Sequence, residues 1–249
     1  MDEKLIENIE NYLNRKCLII FDKFLIRQKI IFDHIEQFKN LQSQQKVCII
    51  LDSGSFDING AFDCLDYCKE REIAYDAIVL NKLASAGTIM ALGAENLFFT
   101  RQGALGVIDP THYFHDFPKI YFRRGINTIV RRVNLDEINC YKNFIRESLS
   151  EDKQAIAEVL APLHAALDGC LIEQAQTRLL FIQKELQKLF IKNHPNCDYS
   201  YLSEFMTVGS GSFDYTLHQS ELKKLNLSIN SCSPFLEELL YPIYMKFHG

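Results

Sequence analysis

The strongest constraint on the fold is a repeated alternation of short apolar runs with segments of helical periodicity. The pattern predicts a buried strand over residues 16–21, an amphipathic helix over 27–41 and a second buried strand over 46–51. Strands that read as continuous apolar runs are typical of parallel sheets covered on both faces. We therefore expect an α/β fold with a mainly parallel sheet and right-handed crossovers.

The same alternation continues through the middle of the chain. Helical spacing over 59–70 is followed by a strand over 75–80, and the small residues after it open another apolar helix that ends near Leu92. Short strands are expected over 96–100 and 106–108, and a long helical segment over about 150–195 with a break or kink at Pro162. Because no repeat or linker interrupts the chain, we expect a single domain over 1–249.

Composition and charge exclude several classes of function. The net charge of −5 gives no electrostatic case for a nucleic-acid partner, and the apolar runs are too short for a membrane span. The first residues lack the apolar core of a secretory signal, so a cytoplasmic location is expected. The eight cysteines are scattered without metal-ligand spacing and are interpreted as reduced core residues. No metal or organic cofactor is implied.

Two turns at the ends of predicted parallel strands carry the chemistry, because open α/β sheets bind ligands at that edge. In residues 51–55, Gly54 lets backbone amides face outward, as an oxyanion hole requires. In residues 84–88, small residues at a helix start leave amides close to the Ser85 hydroxyl. A helix N-cap with tight packing is the alternative interpretation of the second turn.

The motifs around these turns resemble the serine dehydrogenase proteinase family, which is related to the ClpP and signal-peptide-peptidase (SppA-type) serine peptidases of the crotonase-like superfamily. The matching runs are Ser85-Ala86-Gly87-Thr88, Ala91-Leu92-Gly93-Ala94 and Leu105-Gly106-Val107-Ile108-Asp109-Pro110. Residues 51–55 stand where that family has a Thr-Pro-Gly-Gly turn, and 212–217 where it has Ser-His-Asp-Tyr-Pro-Ile. The resemblance covers roughly 18–229.

The resemblance implies a ClpP/crotonase-like fold and a role for each matching residue. Ser85 would be the nucleophile that attacks a peptide or other acyl carbonyl. The amides of Gly54 or Ser55 and of Ala86 would hold the developing oxyanion. Asp214 falls where the ClpP-type relatives carry the acid of their triad. A peptide or protein substrate and a homo-oligomer, or a place within a larger complex, would follow.

The general base departs from the family pattern. A serine hydroxyl needs a histidine or lysine within hydrogen-bond reach to take its proton. Phe213 occupies the family's histidine position, Asp109 matches the ClpP-type histidine, and Ser55 replaces the second glycine of the oxyanion turn. His112 and His218 are candidates for the missing base, and surface histidines are the alternative interpretation of both.

Three hypotheses about function remain open at this point. The first is a serine peptidase or related acyl hydrolase with Ser85 as nucleophile. The second is a catalytically impaired relative that keeps the fold for binding or assembly, because the three departures from the family pattern, at Phe213, Asp109 and Ser55, fall on one site. The third is a crotonase-like enzyme for acyl-CoA thioesters, whose acid and base would be Asp109 or Asp52.

Overall fold

The computed structural model describes residues 3–22, 46–53, 58–108, 119–124, 127–132, 143–145, 147–148, 153–166, 169–209 and 215–248. Its contacts divide the chain into two compact units. One unit consists of Met1–Ile108 with Glu185–Gly249, and the other of Asp109–Lys184. The expectation of a single domain over 1–249 stays a prediction.

The first unit holds the sheets and most of the helices. Up to Ile108 its elements are α1 (Glu3–Leu13), β1 (Lys16–Asp22), β2 (Val47–Ser53), α2 (Ile58–Glu70), β3 (Tyr75–Val79), β4 (Lys82–Leu83), α3 (Ala86–Leu92), β5 (Asn96–Phe99) and β6 (Ala104–Gly106). These bounds agree with the predicted strands and helices to within a few residues. The helix predicted over 27–41 lies outside the described residues.

The remaining elements follow in chain order. They are β7 (Lys119–Arg124), β8 (Asn127–Arg132), α4 (Lys153–Ala166), α5 (Gly169–Asn193), α6 (Tyr199–Glu204), a π-helical turn (Phe205–Gly209), β9 (Thr216–His218), α7 (Gln219–Lys224), β10 (Asn230–Ser231) and α8 (Pro234–His248). In the second unit β7 and β8 form an antiparallel hairpin. The helix α4 continues past Pro162 to Ala166, so the chain does not break at Pro162, and the alternative of a kink there stays a prediction.

The main sheet has the strand order β1-β2-β3-β5-β10, and every neighbouring pair is parallel. This confirms the predicted α/β class with a mainly parallel sheet. All five residues of β3 are buried, as the apolar run predicts for a strand covered on both faces.

Side chains of neighbouring strands meet α1 and α8 in one core. Successive residues of a strand point to opposite faces, so Cys48 and Ile50 of β2 share a face. The core on that face also contains residues of β3 and of both helices, namely Ile9, Ile78, Leu80, Leu236, Leu240 and Ile243. Among them, α1 contributes a stripe at helical spacing, since Leu5 and Leu13 flank Ile9 on the same side.

A second, three-stranded sheet lies next to the candidate site. Its order is β4-β6-β9, with β4 parallel and β9 antiparallel to β6. Leu83 pairs with Leu105, and Leu105 in turn pairs with Leu217. The sheet therefore brings the turn after β4 beside the chain that follows β6. The predicted strand over 106–108 is found two residues earlier.

No helix in the described part of the chain is long and apolar enough to cross a membrane.

Candidate active site

Ser85 occupies the turn between β4 and α3. Its φ of 46° and ψ of −108° lie in a region that L-residues with a Cβ rarely adopt. Its amide donates a hydrogen bond to the carbonyl oxygen of Val107 at 3.1 Å, and the residue is 2 % exposed. Because Ala84 and Ala86 on either side are small, the chain can turn this sharply inside the protein.

The backbone of Ser85 is strained. A non-glycine residue held in such a sparsely populated region costs on the order of 1–3 kcal/mol, which the surrounding structure must offset. Residues held in this way cluster at functional sites, and a serine on a strained strand-to-helix turn is the arrangement that exposes the nucleophile in α/β-hydrolases. The observed dihedral angles therefore single out Ser85 among the described serines.

Gly106 and Thr88 hold the turn in place. A Cβ added to Gly106 would stand 2.3 Å from the carbonyl oxygen of Leu83, so only glycine permits this approach of β6 to the residues before Ser85. The buried hydroxyl of Thr88 donates to the carbonyl oxygen of Gly106 at 2.8 Å. The close contact and the hydrogen bond together connect the first turn of α3 to β6.

The Ala86 amide is the one predicted oxyanion donor that the structure describes. In this turn Gly87 N–H donates to the carbonyl oxygen of Ala84, and Ile89 N–H donates to that of Ser85. No acceptor for the Ala86 amide lies within the described residues. This amide follows Ser85 directly, so it is placed to donate to an oxyanion formed on the serine.

The other half of the predicted oxyanion hole is the turn that follows β2 in the sequence. Gly54 and Ser55 lie outside the described residues. The strand that leads to them ends at Ser53, and its Leu51 carbonyl accepts a hydrogen bond from the Leu80 amide at 2.9 Å. The ends of β2 and β3 are thus joined directly before the two predicted turns.

The structure does not bring His218 to Ser85. His218 is exposed, pairs with Ala104 in β6, and donates its amide to the Glu221 carboxylate at 2.9 Å at the start of α7. Val107, whose carbonyl oxygen accepts the Ser85 amide, comes three residues after Ala104, and Ser85 follows β4, which lies on the opposite side of β6 from β9. At about 3.3 Å per residue and 4.8 Å between strands, the two backbones are on the order of 14 Å apart, beyond the reach of an imidazole.

The remaining predicted site residues lie outside the described part of the chain. These are Asp109, His112 and Asp214. Ile108, directly before Asp109, donates its amide to the carbonyl oxygen of Met206 at 2.7 Å, and Tyr215, directly after Asp214, accepts from the Val107 amide at 3.3 Å. The roles of the three residues stay predictions.

Two further histidines have well-defined environments. His194 is buried, which lowers its pKa to about 4, and its Nδ1 accepts the Ser228 amide at 3.2 Å. Its Nε2 has no hydrogen-bond partner among the described residues. His248 contacts the Asp52 carboxylate, with 2.6 Å between Nε2 and Oδ2. Sequence analysis did not find this pair, because 196 residues separate its members.

The described residues give no support for catalysis by a cysteine or by a bound metal ion. The six cysteines described there with their side chains are free and buried, in agreement with reduced core residues. Burial raises the pKa of both Cys64 and Cys68 to about 12, so neither is a thiolate nucleophile near neutral pH. No cluster of three or more metal-ligating side chains occurs in the described ranges.

Comparison with known proteins gives similarities of backbone only. No protein-family model matches the chain, and no curated protein matches it. Among solved structures, a mutant of the 1510-N membrane-bound stomatin-specific protease is 13 % identical with a TM-score of 0.44, covering 90 % of this chain and 83 % of that one.

Two ClpP structures are similar to the same degree. ClpP1 from Listeria monocytogenes is 14 % identical with a TM-score of 0.49, covering 93 % of this chain and 95 % of that one. The ClpP catalytic domain from Plasmodium falciparum is 11 % identical with a TM-score of 0.43, covering 94 % and 92 %. Likeness at this level assigns neither an activity nor a site residue to this chain.

Proposed function

We propose that the chain is a serine peptidase-type acyl hydrolase, of the kind found in the serine dehydrogenase proteinase family, with Ser85 as its nucleophile. The observation that carries the proposal is the strained backbone of Ser85, directly before an amide with no acceptor in the described residues. Strain of this kind persists only where the surrounding structure enforces it, as Gly106 and Thr88 do here.

The reaction would proceed through an acyl-enzyme. Ser85 Oγ attacks the carbonyl carbon of the peptide while its proton passes to a general base, and the oxyanion accepts hydrogen bonds from the amides of Ala86 and Gly54. Collapse of this tetrahedral intermediate breaks the C–N bond, and the amine leaves with the proton from the base. Water then hydrolyses the acyl ester by the same steps. Removing one oxyanion donor costs about 3 kcal/mol in a serine peptidase of another fold.

We assign the general base to His112 and the third member of the triad to Asp214. Of the two histidines named as candidates for the base, His218 lies out of reach of Ser85, and His112 is the one that we retain. His112 stands four residues after Ile108, which is hydrogen-bonded to Met206. Asp109, which the resemblance places at the position of the ClpP-type histidine, belongs to the same segment, and Asp214 would orient the imidazole.

A fluorophosphonate probe tests the nucleophile. We expect one phosphonyl group per chain on Ser85, lost in Ser85→Ala and retained in Ser200→Ala, which removes an exposed hydroxyl from α6. Because Ser85 is 2 % exposed, entry of the probe requires the covering groups to move, and labelling should therefore be slow. Absence of labelling between pH 6 and pH 9 in a folded sample would overturn the proposal.

The second candidate function is a catalytically impaired subunit that keeps the fold for binding or assembly. The burial of Ser85 favours it, together with Phe213 at the family's histidine position. A peptide library discriminates between the two functions. Cleavage by the parent that stops in Ser85→Ala excludes the impaired subunit, whereas cleavage gained only in Phe213→His supports it.

Asp52 is a poor acid or base for the third hypothesis, an acyl-CoA enzyme. Asp52 is 4 % exposed, and its Oδ2 lies 2.6 Å from Nε2 of His248. Binding to immobilised CoA would restore that hypothesis.

We also propose a peptide or protein substrate and a homo-oligomeric state. The support for assembly is the outer side of α8, where Phe235 and Tyr241 are more than half exposed. Light scattering after size-exclusion chromatography measures the mass, and a monomer at micromolar concentration would contradict the assembly.

A further inference from the structure

We propose that His248 is a positioning residue that ties the end of α8 to the two strand ends leading into the candidate site. Its Nε2 lies 2.6 Å from Oδ2 of Asp52, near the end of β2, and 3.2 Å from the side-chain amide nitrogen of Asn81, just after β3. The short contact assigns the Nε2–H to the carboxylate, so Nε2 does not accept from the Asn81 amide nitrogen, and Asn81 is held beside the ring by contact rather than by a hydrogen bond to Nε2.

The contact between His248 and Asp52 lies in a largely buried environment. The Asp52 side chain is 6 % exposed and the His248 side chain 23 % exposed. A carboxylate removed from water to this degree requires a hydrogen-bonded partner, because its desolvation is otherwise uncompensated. Loss of the imidazole would therefore remove a hydrogen-bonding partner from a buried carboxylate, which destabilises its present position.

The imidazole packs against an aromatic ring of α8. Its ring lies 4.7 Å from the Tyr244 ring at an interplanar angle of 30°. One and two turns before Tyr244, α8 is anchored in the core by Leu240 and Leu236. The helix thus presents His248 to the sheet edge from a fixed position.

Both partners of His248 stand close to predicted site residues in the sequence. Asp52 precedes Gly54 by two residues, and Asn81 precedes Ser85 by four. The hydrogen bond from Leu80 N–H to the Leu51 carbonyl oxygen joins the same two strand ends. One side chain outside the reacting groups can therefore set the distance between the proposed oxyanion turn and the nucleophile turn, where an error of 1 Å can cost about 100-fold in rate.

The experiment compares two substitutions of His248 with a control on the same helix. His248→Gln keeps an N–H donor, His248→Leu keeps bulk without a donor, and Lys246→Gln changes an exposed residue of α8. The first readout is hydrogen–deuterium exchange of peptides covering residues 46–60 and 80–90. The second readout is the rate at which fluorophosphonate labels Ser85. Measured over a range of probe concentrations, it gives the binding constant of the probe and the maximal labelling rate.

We expect His248→Leu to raise exchange at least 10-fold in those two segments, with peptides from α1 and from 234–244 unchanged. The maximal labelling rate should fall at least 10-fold at an unchanged binding constant. His248→Gln and Lys246→Gln should both remain close to the parent. Equal effects of Leu and Gln, or a rise in exchange spread over the whole protein, would overturn the proposal.

A double-mutant cycle keeps the proposal testable if His248→Leu folds poorly. Asp52→Asn weakens the same contact, so adding it to His248→Ala, which removes the imidazole, should change exchange in the two segments less than the sum of the single effects. Additive effects would show that the two residues act independently and would refute the proposal. Only the labelling readout rests on the proposed function: if the parent is not labelled, that function fails, whereas the exchange readout still decides the role of His248.

Discussion

The amide of Ser85 donates a hydrogen bond to the carbonyl oxygen of Val107 at 3.1 Å, which joins the start of α3 to the chain just beyond β6. Val107 in turn donates its own amide to the Tyr215 carbonyl oxygen at 3.3 Å, so three segments meet beside the candidate nucleophile. The φ of 46° at Ser85 is therefore a consequence of pairing on its flank rather than of local preference. The first prediction tests this strain directly.

Glycine at position 85 should stabilise the protein relative to alanine. Both substitutions remove the hydroxyl, but only glycine adopts the observed φ without a Cβ penalty. We expect Ser85→Gly to exceed Ser85→Ala in free energy of unfolding by about 1–3 kcal/mol in urea denaturation. The matched pair at Ser200 in α6 should show the opposite order, with glycine below alanine by about 0.5–1 kcal/mol. Alanine at or above glycine at position 85 would mean that the turn is unstrained.

A methyl group at position 106 should displace the nucleophile turn. Gly106→Ala places a Cβ 2.3 Å from the Leu83 carbonyl oxygen, so the backbone must shift. We expect a loss of about 1–3 kcal/mol in unfolding free energy, together with slower labelling of Ser85. Thr216→Ala, on the neighbouring strand β9, serves as control and should leave labelling unchanged. A stable Gly106→Ala variant with parental labelling would contradict the role of this close approach.

The Thr88 hydroxyl should matter as a donor rather than as bulk. Thr88→Val retains the shape but leaves the Gly106 carbonyl oxygen without this donor in a buried environment. We expect a cost of about 1–3 kcal/mol by calorimetry, because a buried acceptor loses its partner. Thr88→Ser keeps the hydroxyl and should recover most of the hydrogen-bond contribution, so a valine variant more stable than the serine variant would exclude the proposed anchoring.

Acid should destabilise the protein through His194. Burial lowers the folded-state pKa of His194 to about 4, below its ordinary value of 6.5. The unfolded chain therefore binds a proton first as pH falls, and stability drops between about pH 6.5 and pH 4. From pH 7.5 to pH 5 this residue should account for a loss of about 2 kcal/mol, measured by urea denaturation at each pH.

Substitution of His194 should remove this pH dependence. His194→Gln retains an acceptor for the Ser228 amide but does not titrate, so the difference between pH 7.5 and pH 5 should shrink by about the same amount. His218→Gln, at an exposed position, should leave the difference in stability between pH 7.5 and pH 5 unchanged. An equal acid loss in the parent and in His194→Gln would show that the burial of His194 has no effect on stability.

Local pattern was sufficient to predict most of the main sheet. The strand predicted over 75–80 is found as Tyr75–Val79, and the helix predicted to open at Ser85 begins at Ala86. These elements follow from side-chain periodicity and turn chemistry, which are properties of neighbouring residues. Of the break or kink predicted at Pro162, the break is wrong because α4 runs through that position, and proline propensity alone does not decide where a helix ends; the kink stays a prediction.

The partners of the site depended on the tertiary structure. Sequence by itself determined that a serine among small residues would stand at a strand-to-helix turn, since that requires only local order. The pairing register of β9 with β6 placed His218 away from Ser85. Packing of α8 brought His248 to Asp52, although 196 residues separate the two in the sequence. The physical reason is that strands distant in sequence pair, and α8 packs on the core, because many segments bury apolar surface together. The spacing of residues within one segment therefore does not determine which distant residues meet.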